Sequence, residues 1–155
     1  MRRRDREVKD RSEIMEIVKR CDVMRIGMID KERSYVVPMS FGYLQDGEDI
    51  TFYFHCAIEG RKLEILKKNP NVCFECDRME QILTSEMACG FSIDHYESVI
   101  GEGIASFVEG EEKIAALDTM ITRYMDGKKL PYDEKALARI CAFKIQVTDI
   151  CGKRK

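Results

Sequence analysis

Features of several protein classes are missing from this 155-residue chain. No apolar run approaches the roughly 20 residues that a membrane-spanning helix needs, and the N-terminal segment MRRRDREVKD lacks the apolar stretch of a signal peptide. The net charge is −2, from 26 basic and 28 acidic residues, whereas nucleic-acid-binding proteins are usually clearly basic. We therefore expect a cytoplasmic protein that binds neither a membrane nor nucleic acid.

The motifs of dinucleotide-binding, hydrolytic and metal sites are also absent. Gly101 and Gly103 are followed by neither a third glycine nor a helix, so they form no dinucleotide-binding fingerprint. The residue spacing indicates neither a catalytic triad nor a carboxylate pair. Cys73 and Cys76 have the C-x-x-C spacing of zinc and redox sites, but the segment VCFECD predicts a strand in which they point to opposite faces. We expect no metal site.

Cysteine is frequent but follows no framework pattern. The seven cysteines lie at positions 21, 56, 73, 76, 89, 141 and 151, an odd number at irregular spacing. In a chain without a secretion signal this pattern argues against a set of structural disulfides. We expect most of these side chains to be reduced, small and buried.

Alternating apolar and polar residues predict a protein made mainly of β-strands, with few and scattered helices. We expect one domain over residues 1–155, a small β-barrel with flanking helices and a flexible arm over residues 1–11. The predicted strands are Val23–Asp30, Tyr35–Leu44, Ile50–His55, Val72–Asp77, Tyr96–Val108 and Ala142–Ile150, with a loop around Thr84–Glu86. One predicted helix carries Ile14, Ile17, Val18 and Cys21 on one stripe and has Asp10 at its cap. The other predicted helices run from Glu59 to Asn69–Pro70, over Glu111–Met125 and, as a short helix, over Glu134–Arg139.

The predicted strand Tyr35–Leu44 has one bulky face and one face that is small at its middle, where Pro38, Ser40 and Gly42 lie. A proline within a strand requires an edge, a bulge or a ligand in place of the hydrogen-bonded neighbour. The small face fits a flat ring lying close to the backbone. It fits tight packing against another strand equally well.

The segment ITFYFHCAIEGRKLEILKK, Ile50–Lys68, predicts a strand that turns into a helix whose first turn carries Gly60, Arg61 and Lys62. A helix N-terminus presents unpaired backbone N–H groups and the positive end of the helix dipole. The two basic side chains add a guanidinium fork and a point charge. The pattern predicts a phosphate site, although adjacent basic residues on a helix are also commonly just solvated.

Three ordered motifs carry a resemblance to a known family: VPMSFGY at Val37–Tyr43, YFHCAIEGRK at Tyr53–Lys62 with the following NPNVCF, and YESVIGEG at Tyr96–Gly103. With the terminal TDICGK, they resemble the FMN-binding split β-barrel proteins of the pyridoxamine 5'-phosphate oxidase-like superfamily. More narrowly, the chain is similar to the Nim-type branch, the nitroimidazole-resistance proteins.

The resemblance implies a homodimer with FMN in a groove at the subunit interface. It implies that Gly60, Arg61 and Lys62 hold the phosphate, and that the flavin ring follows the backbone of Pro38, Met39, Ser40 and Phe41. It further implies that Phe54 and His55 line the groove, with Ser98 and Val99 nearby, often from the partner subunit. His55 is a candidate catalytic donor, or alternatively a hydrogen-bonded structural residue at a strand end.

The leading hypothesis from the sequence is an FMN-dependent reductase that takes electrons from NADH or NADPH and passes them to a small oxidant such as a nitroaromatic compound. The alternative is a non-catalytic split barrel that stores or senses flavin or holds haem. Oxidation of pyridoxamine 5'-phosphate is a third, less favoured function, because the chain has no convincing match to the C-terminal basic and aromatic substrate residues of that enzyme.

Overall fold

A computed structural model describes residues 3–83, 87, 92–128 and 130–155. Within these ranges the strands are β1 (Glu7–Val8), β2 (Met24–Asp30), β3 (Arg33–Met39), β4 (Gly42–Asp46), β5 (Asp49–Ala57), β6 (Asn71–Leu83), β7 (Ser92–Val108) and β8 (Ile140–Arg154). The helices are α1 (Arg11–Arg20), α2 (Arg61–Lys68), α3 (Gly110–Tyr124) and α4 (Glu134–Leu137), with one 3-10 turn at Arg4–Arg6. The protein is therefore mainly β, with flanking helices, as the sequence predicted.

The strands form an antiparallel sheet in the order β3-β2-β6-β7-β8-β5-β4, and β1 pairs with the end of β8. The strands β3 and β4 lie at opposite ends of this order, although only Ser40 and Phe41 separate them. Three Cα steps span at most about 11 Å, so the two ends of the sheet must meet. The sheet is curled into a barrel that is split between β3 and β4.

Aromatic side chains fill the barrel. The ring of Phe52 contacts those of Phe41 and Phe74 edge to face, at centroid distances of 5.8 and 5.1 Å. Phe54 and Phe143 stack at 5.1 Å, and all five rings are buried. Such pairs add about 0.5–1.5 kcal/mol each to the free energy gained by burying their apolar surface.

Helix α1 closes one end of the barrel with its apolar stripe. The side chain of Asp10 accepts a hydrogen bond from the N–H of Glu13 at 3.1 Å and caps the helix, as predicted. Ile14, Ile17 and Val18 are buried in the main core. Local capping and helical periodicity therefore agree with the tertiary packing.

Helix α3 covers the outside of the barrel over β4, β5 and β8. A Cβ atom at Gly42 would clash with Thr119 Oγ1 and lie 2.9 Å from the backbone N of Met120. The lack of a side chain at Gly42 therefore allows α3 to pack closely against β4. At this position the structure favours tight packing over the flat-ring interpretation, and the packing partner is a helix.

The crossing from β3 to β4 is held by the C-terminal end of α3. The N–H of Phe41 donates to the Tyr124 hydroxyl at 3.1 Å, and this hydroxyl donates to the carbonyl of Asp22 at 2.8 Å. The guanidinium of Arg123 lies over the Phe41 ring at 4.2 Å and donates to the carbonyls of Val18, at 2.9 Å, and of Cys21. The same guanidinium thereby satisfies carbonyls at the C-terminus of α1.

Two expectations from the sequence are wrong. The predicted strand Tyr35–Leu44 is two strands, β3 and β4, at opposite ends of the sheet order. The predicted arm over residues 1–11 is instead structured from Arg4 onward, because Glu7 and Val8 pair with Lys153 and Gly152, and Arg11 begins α1. Val8 is buried by this pairing.

The remaining boundaries are close to those predicted, except that β6, β7 and β8 extend further. Gly101 and Gly103 mark close approaches: a Cβ atom at Gly101 would lie 2.6 Å from the carbonyl oxygen of Asp149, and the register of β7 against β8 shifts between Glu102 and Gly103. The predicted loop around Thr84–Glu86 lies outside the described residues. No helix in the described part of the chain is long and apolar enough to cross a membrane.

Removing the Tyr124 hydroxyl will test the importance of the crossing. In Tyr124→Phe the buried N–H of Phe41 loses its partner, so we expect the free energy of unfolding to fall by about 1–3 kcal/mol. The control is Tyr132→Phe, because the Tyr132 hydroxyl donates to the exposed Asp118 at 2.7 Å. We expect this variant to lose less than about 1 kcal/mol in the same urea titration. Equal losses in the two variants would contradict the proposed role of the crossing.

Candidate functional site

The N-terminus of α2 is open and has no side-chain cap. Gly60 occupies the N-cap position with φ 146° and ψ 157°, a conformation that L-residues with a side chain rarely adopt. No atom lies within 4 Å of the position that a Cβ atom would take there. The start of α2 therefore combines accessible space with the backbone N–H groups that bind anions well.

Arg61 is held beside this helix start by β2 and β3. Its Nε and Nη2 atoms lie 3.0 and 2.9 Å from Asp30 Oδ2, and its guanidinium lies 4.6 Å from the centre of the Tyr35 ring. The Asp30 carboxylate takes up two of the five N–H donors of the guanidinium. A cavity of about 520 Å³ adjoins this pair and is lined by residues of the β2–β3 turn and Arg61. The ion pair was not expected from the sequence.

Lys62 is half-buried at the same helix start and has no ion-pair partner among the described residues. Its ammonium group is close enough to the Cys56 thiol to favour the thiolate and oppose the rise in the pKa of that thiol. The first turn of α2 therefore carries one neutralised and one uncompensated positive charge.

The residues predicted for the flavin groove divide between the two faces of the sheet. Pro38 and Ser40 are exposed on the outside of the barrel, while Met39 is half-buried against the core. Phe41, Phe54 and Val99 are completely buried in the core. The side chains of these three residues face the core and not a surface groove.

His55 lies on the outer face, next to α3. Its Nδ1 atom is 3.3 Å from Met120 Sδ, and partial burial lowers the pKa of His55 from its usual value of 6.5. The exposed side chain of His55 is therefore separated from the buried Phe54, its neighbour in β5.

Ser98 is on the same outer face but on a distant strand. The pairing register runs from Pro38 to Arg25, then to Glu75, and then to Ile100, beside Ser98. Three steps between neighbouring strands amount to roughly 14 Å. Within one chain, Pro38 and Ser98 are therefore too far apart to contact the same small group.

A charged cluster fills the space between them. Arg25 Nη1 lies 2.9 Å from Glu75 Oε2 and 2.5 Å from Asp77 Oδ1. Burial raises the pKa of Glu75, while the arginine favours its ionised form. This cluster and the Asp30–Arg61 pair were missed in the sequence, because nothing in the spacing of these residues shows that β2 is paired with both β3 and β6.

No group of three or more His, Cys, Asp or Glu side chains that could hold a metal ion occurs in the described part of the chain. Cys73 is exposed and Cys76 is buried, so the C-x-x-C pair has its two thiols on opposite faces of β6, as the sequence predicted. The groups at the surface with binding or proton-transfer capacity include the open N-terminus of α2 and the imidazole of His55 beside α3.

Comparison with known proteins identifies the family to which the chain belongs. The family model for pyridoxamine 5'-phosphate oxidase matches residues 10–154. A solved structure from Bacteroides thetaiotaomicron, provisionally described as a 5-nitroimidazole antibiotic resistance protein, is 32% identical over 96% of this chain and 86% of that one, with a TM-score of 0.81. A search among curated proteins found no match.

Two further solved structures, both from Mycobacterium smegmatis, share the fold at lower identity. An FAD- and haem-binding protein is 14% identical over 97% of this chain and 73% of that one, with a TM-score of 0.82. An FAD-binding protein is 23% identical over 94% and 95% of the two chains, with a TM-score of 0.61. The family model and the relative at 32% identity together show that this chain belongs to the pyridoxamine 5'-phosphate oxidase family.

Proposed function

We propose that this protein is a homodimeric FMN-binding flavoprotein that uses NADH or NADPH to reduce a small oxidant such as a nitroaromatic compound. The observation that carries the proposal is the uncapped, open N-terminus of α2 at Gly60, flanked by two basic side chains. The 32% identity to the protein described as a nitroimidazole resistance protein supports the choice of oxidant.

The residues at α2 fit a phosphomonoester. Backbone N–H groups after Gly60 and the ammonium of Lys62 supply donors and positive charge for a dianion. Arg61 retains three N–H donors beyond those that it directs to Asp30. These three residues are the ones we assign to the phosphate of FMN.

The free edge of β3 fits the rest of the cofactor. Pro38 lies on this edge strand, where its missing N–H costs no hydrogen bond to a neighbouring strand. The segment from Pro38 to Ser40, in which Pro38 and Ser40 are exposed, offers main-chain groups to a planar ring. Flavin, when bound, supplies the transfer of electrons from nicotinamide to the oxidant, and the protein binds, orients and shields the reacting molecules.

We assign to His55 a position beside the oxidant. Its lowered pKa keeps the imidazole neutral at pH 7, so that it has one N–H donor and one acceptor nitrogen. A contact of Nδ1 with Met120 leaves Nε2 as the nitrogen available for a substrate. The Met120 contact also restricts the ring orientation.

The homodimer is proposed to use the outer face of β2, β3, β6 and β7. Several apolar side chains on this face are more than 45% exposed: Ile29, Val36, Ile100 and Ile104. Burial of such a patch in a dimer would remove its unfavourable contact with water. A second copy would also bring its own Ser98 to the groove. Within one chain Ser98 lies roughly 14 Å from Pro38 and does not reach it.

A visible absorption spectrum of the purified protein, followed by mass identification of the released chromophore, tests the cofactor. We expect FMN and steady-state oxidation of NADH or NADPH by a nitroimidazole at a rate well above that of free FMN. Tight flavin binding without such turnover would show a storage or sensing protein. A protein that stays spectroscopically blank during FMN titration would contradict the whole proposal.

Loss of the two basic side chains will weaken FMN binding. For Arg61→Ala with Lys62→Ala we expect a loss of about 3 kcal/mol, roughly a 100-fold rise in Kd, because charge-assisted hydrogen bonds contribute roughly 1.5–3 kcal/mol each. The matched control is Lys67→Ala with Lys68→Ala, which removes two positive charges from the other end of α2. Fluorescence titration measures both variants, and similar losses would exclude a specific phosphate contact.

Release of Arg61 from Asp30 will strengthen FMN binding. Asp30→Asn removes a negative charge near the phosphate position and frees two guanidinium donors, while the lost exposed ion pair costs only about 0–1 kcal/mol of stability. We expect Kd to fall several-fold at low salt, and less at high salt because of screening. A weaker complex would show that the ion pair orients Arg61 for the phosphate.

His55 will make stability depend on pH in a predictable direction. Its folded-state pKa is lowered, so the unfolded chain takes up the proton first as the pH falls below about 6.5. Stability is therefore lost on acidification, and His55→Gln removes this contribution. The urea midpoint should therefore fall more between about pH 7.5 and about pH 5.5 in the parent protein than in the variant.

The same variant tests the assignment beside the oxidant. We expect His55→Gln to retain its flavin but to turn over more slowly per bound flavin. An unchanged rate together with the altered pH dependence would limit His55 to a structural role.

A further inference from the structure

Two cysteines from distant parts of the sequence face each other across neighbouring strands. Cys56 in β5 is paired in register with Cys141 in β8, between the pairs His55–Ala142 and Ala57–Ile140. Side chains alternate between faces, so both cysteines lie on the face of the stacked pair Phe54–Phe143. The two thiols are close enough for each to shift the pKa of the other.

This register meets the distance requirement of a disulfide. Directly opposed residues of antiparallel strands have Cα atoms roughly 4.5–5.5 Å apart, within the range of roughly 4.4–6.8 Å that disulfides span. Their Cβ atoms, roughly 4.5–5.5 Å apart, need to approach by at most about 1–2 Å. A bond therefore forms without separating β5 from β8.

The pair is accessible, unlike the other thiol pair of the described residues. Cys56 and Cys141 are half-buried at the end of the barrel. Cys21 and Cys76 also affect each other's pKa, but their side chains are buried in the core and shielded from solvent. Cys73 is exposed, but it is paired with Gly27 on β2 and with Glu102 on β7, so neither neighbouring strand places a cysteine opposite it.

Burial and nearby charges affect both thiols of the pair. Burial raises the pKa of both, which slows their oxidation at neutral pH. Lys62 opposes this rise at Cys56, and Lys113 and Lys67 oppose it at Cys141, whereas the Glu109 carboxylate raises the pKa of Cys141 further. The neighbouring thiol raises the pKa of Cys56 and lowers that of Cys141, so either thiol can react first.

We propose that Cys56 and Cys141 form a reversible disulfide when the protein meets a peroxide. The sulfur of one of the two cysteines attacks one peroxide oxygen, the O–O bond breaks, and its sulfenic acid and water are formed. The sulfur of the other cysteine then attacks the sulfenic sulfur, and the hydroxyl leaves as a second water with the thiol proton. Two thiols and one hydrogen peroxide thus give one disulfide and two water molecules, and a dithiol reductant reverses the change.

The position of the bond connects it to the start of α2. Cys56 is near the end of β5, and only a short segment joins it to Gly60. A cross-link to β8 at this point fixes the strand end from which that segment leaves. The proposal concerns this chain with or without a bound cofactor and does not rest on the proposed function.

The test uses the full-length protein, reduced and then treated with hydrogen peroxide. Free thiols are alkylated, and the protein is digested without reductant for peptide mapping by mass spectrometry. We expect one cross-linked peptide pair that contains Cys56 and Cys141, that has lost two hydrogen atoms, and that disappears after dithiothreitol treatment. The reaction should accelerate as the pH rises, because the thiolate is the nucleophile.

Single variants provide the controls. Cys56→Ser and Cys141→Ser should each abolish this cross-link, while Cys73→Ser should leave its yield unchanged. Recovery of Cys56 and Cys141 as alkylated thiols after oxidation of the parent protein would overturn the proposal. So would a cross-link of either residue to a different cysteine, and because both results come from the parent chain, they do not depend on the folding of a variant.

Discussion

The structure depends on one short crossing, at which Ser40 and Phe41 carry the chain from one end of the sheet order to the other. A two-residue connection between terminal strands forces the sheet to curl, and the curled sheet encloses the aromatic core. The crossing lacks a regular strand partner, so its buried N–H at Phe41 must be satisfied by a side chain. Tyr124 does this, while Arg123 covers the Phe41 ring and binds the end of α1.

This crossing also decides which residues are available for binding. It leaves Pro38 and Ser40 on the outside, directs Phe41 into the core, and brings β4 under α3 at Gly42. The outer surface near the crossing then includes His55, whereas Tyr35, over which the Arg61 guanidinium lies, packs against the core.

The sequence predicts local elements well, because caps and periodicity are local: Asp10 caps α1, and α2 ends at Asn69. It fails at the crossing, because Tyr35, Val37, Met39, Phe41 and Tyr43 keep an unbroken alternation while the chain changes ends of the sheet. Alternation reports which side chains face inward and carries no information about the neighbouring strand. For the same reason the sequence did not predict the Asp30–Arg61 ion pair, whereas it did predict the basic helix start at Gly60–Lys62.

The two free edges explain why a binding surface is expected at the split. An exposed strand edge pairs readily with another chain unless it is interrupted or covered. On β3, Pro38 removes one N–H and blocks a continuous set of hydrogen bonds with an added strand. The outer face beside this edge nevertheless keeps exposed apolar side chains such as Val36 and Ile29. An edge closed to strands, next to an apolar face, favours a flat ligand and a facing surface over extension of the sheet.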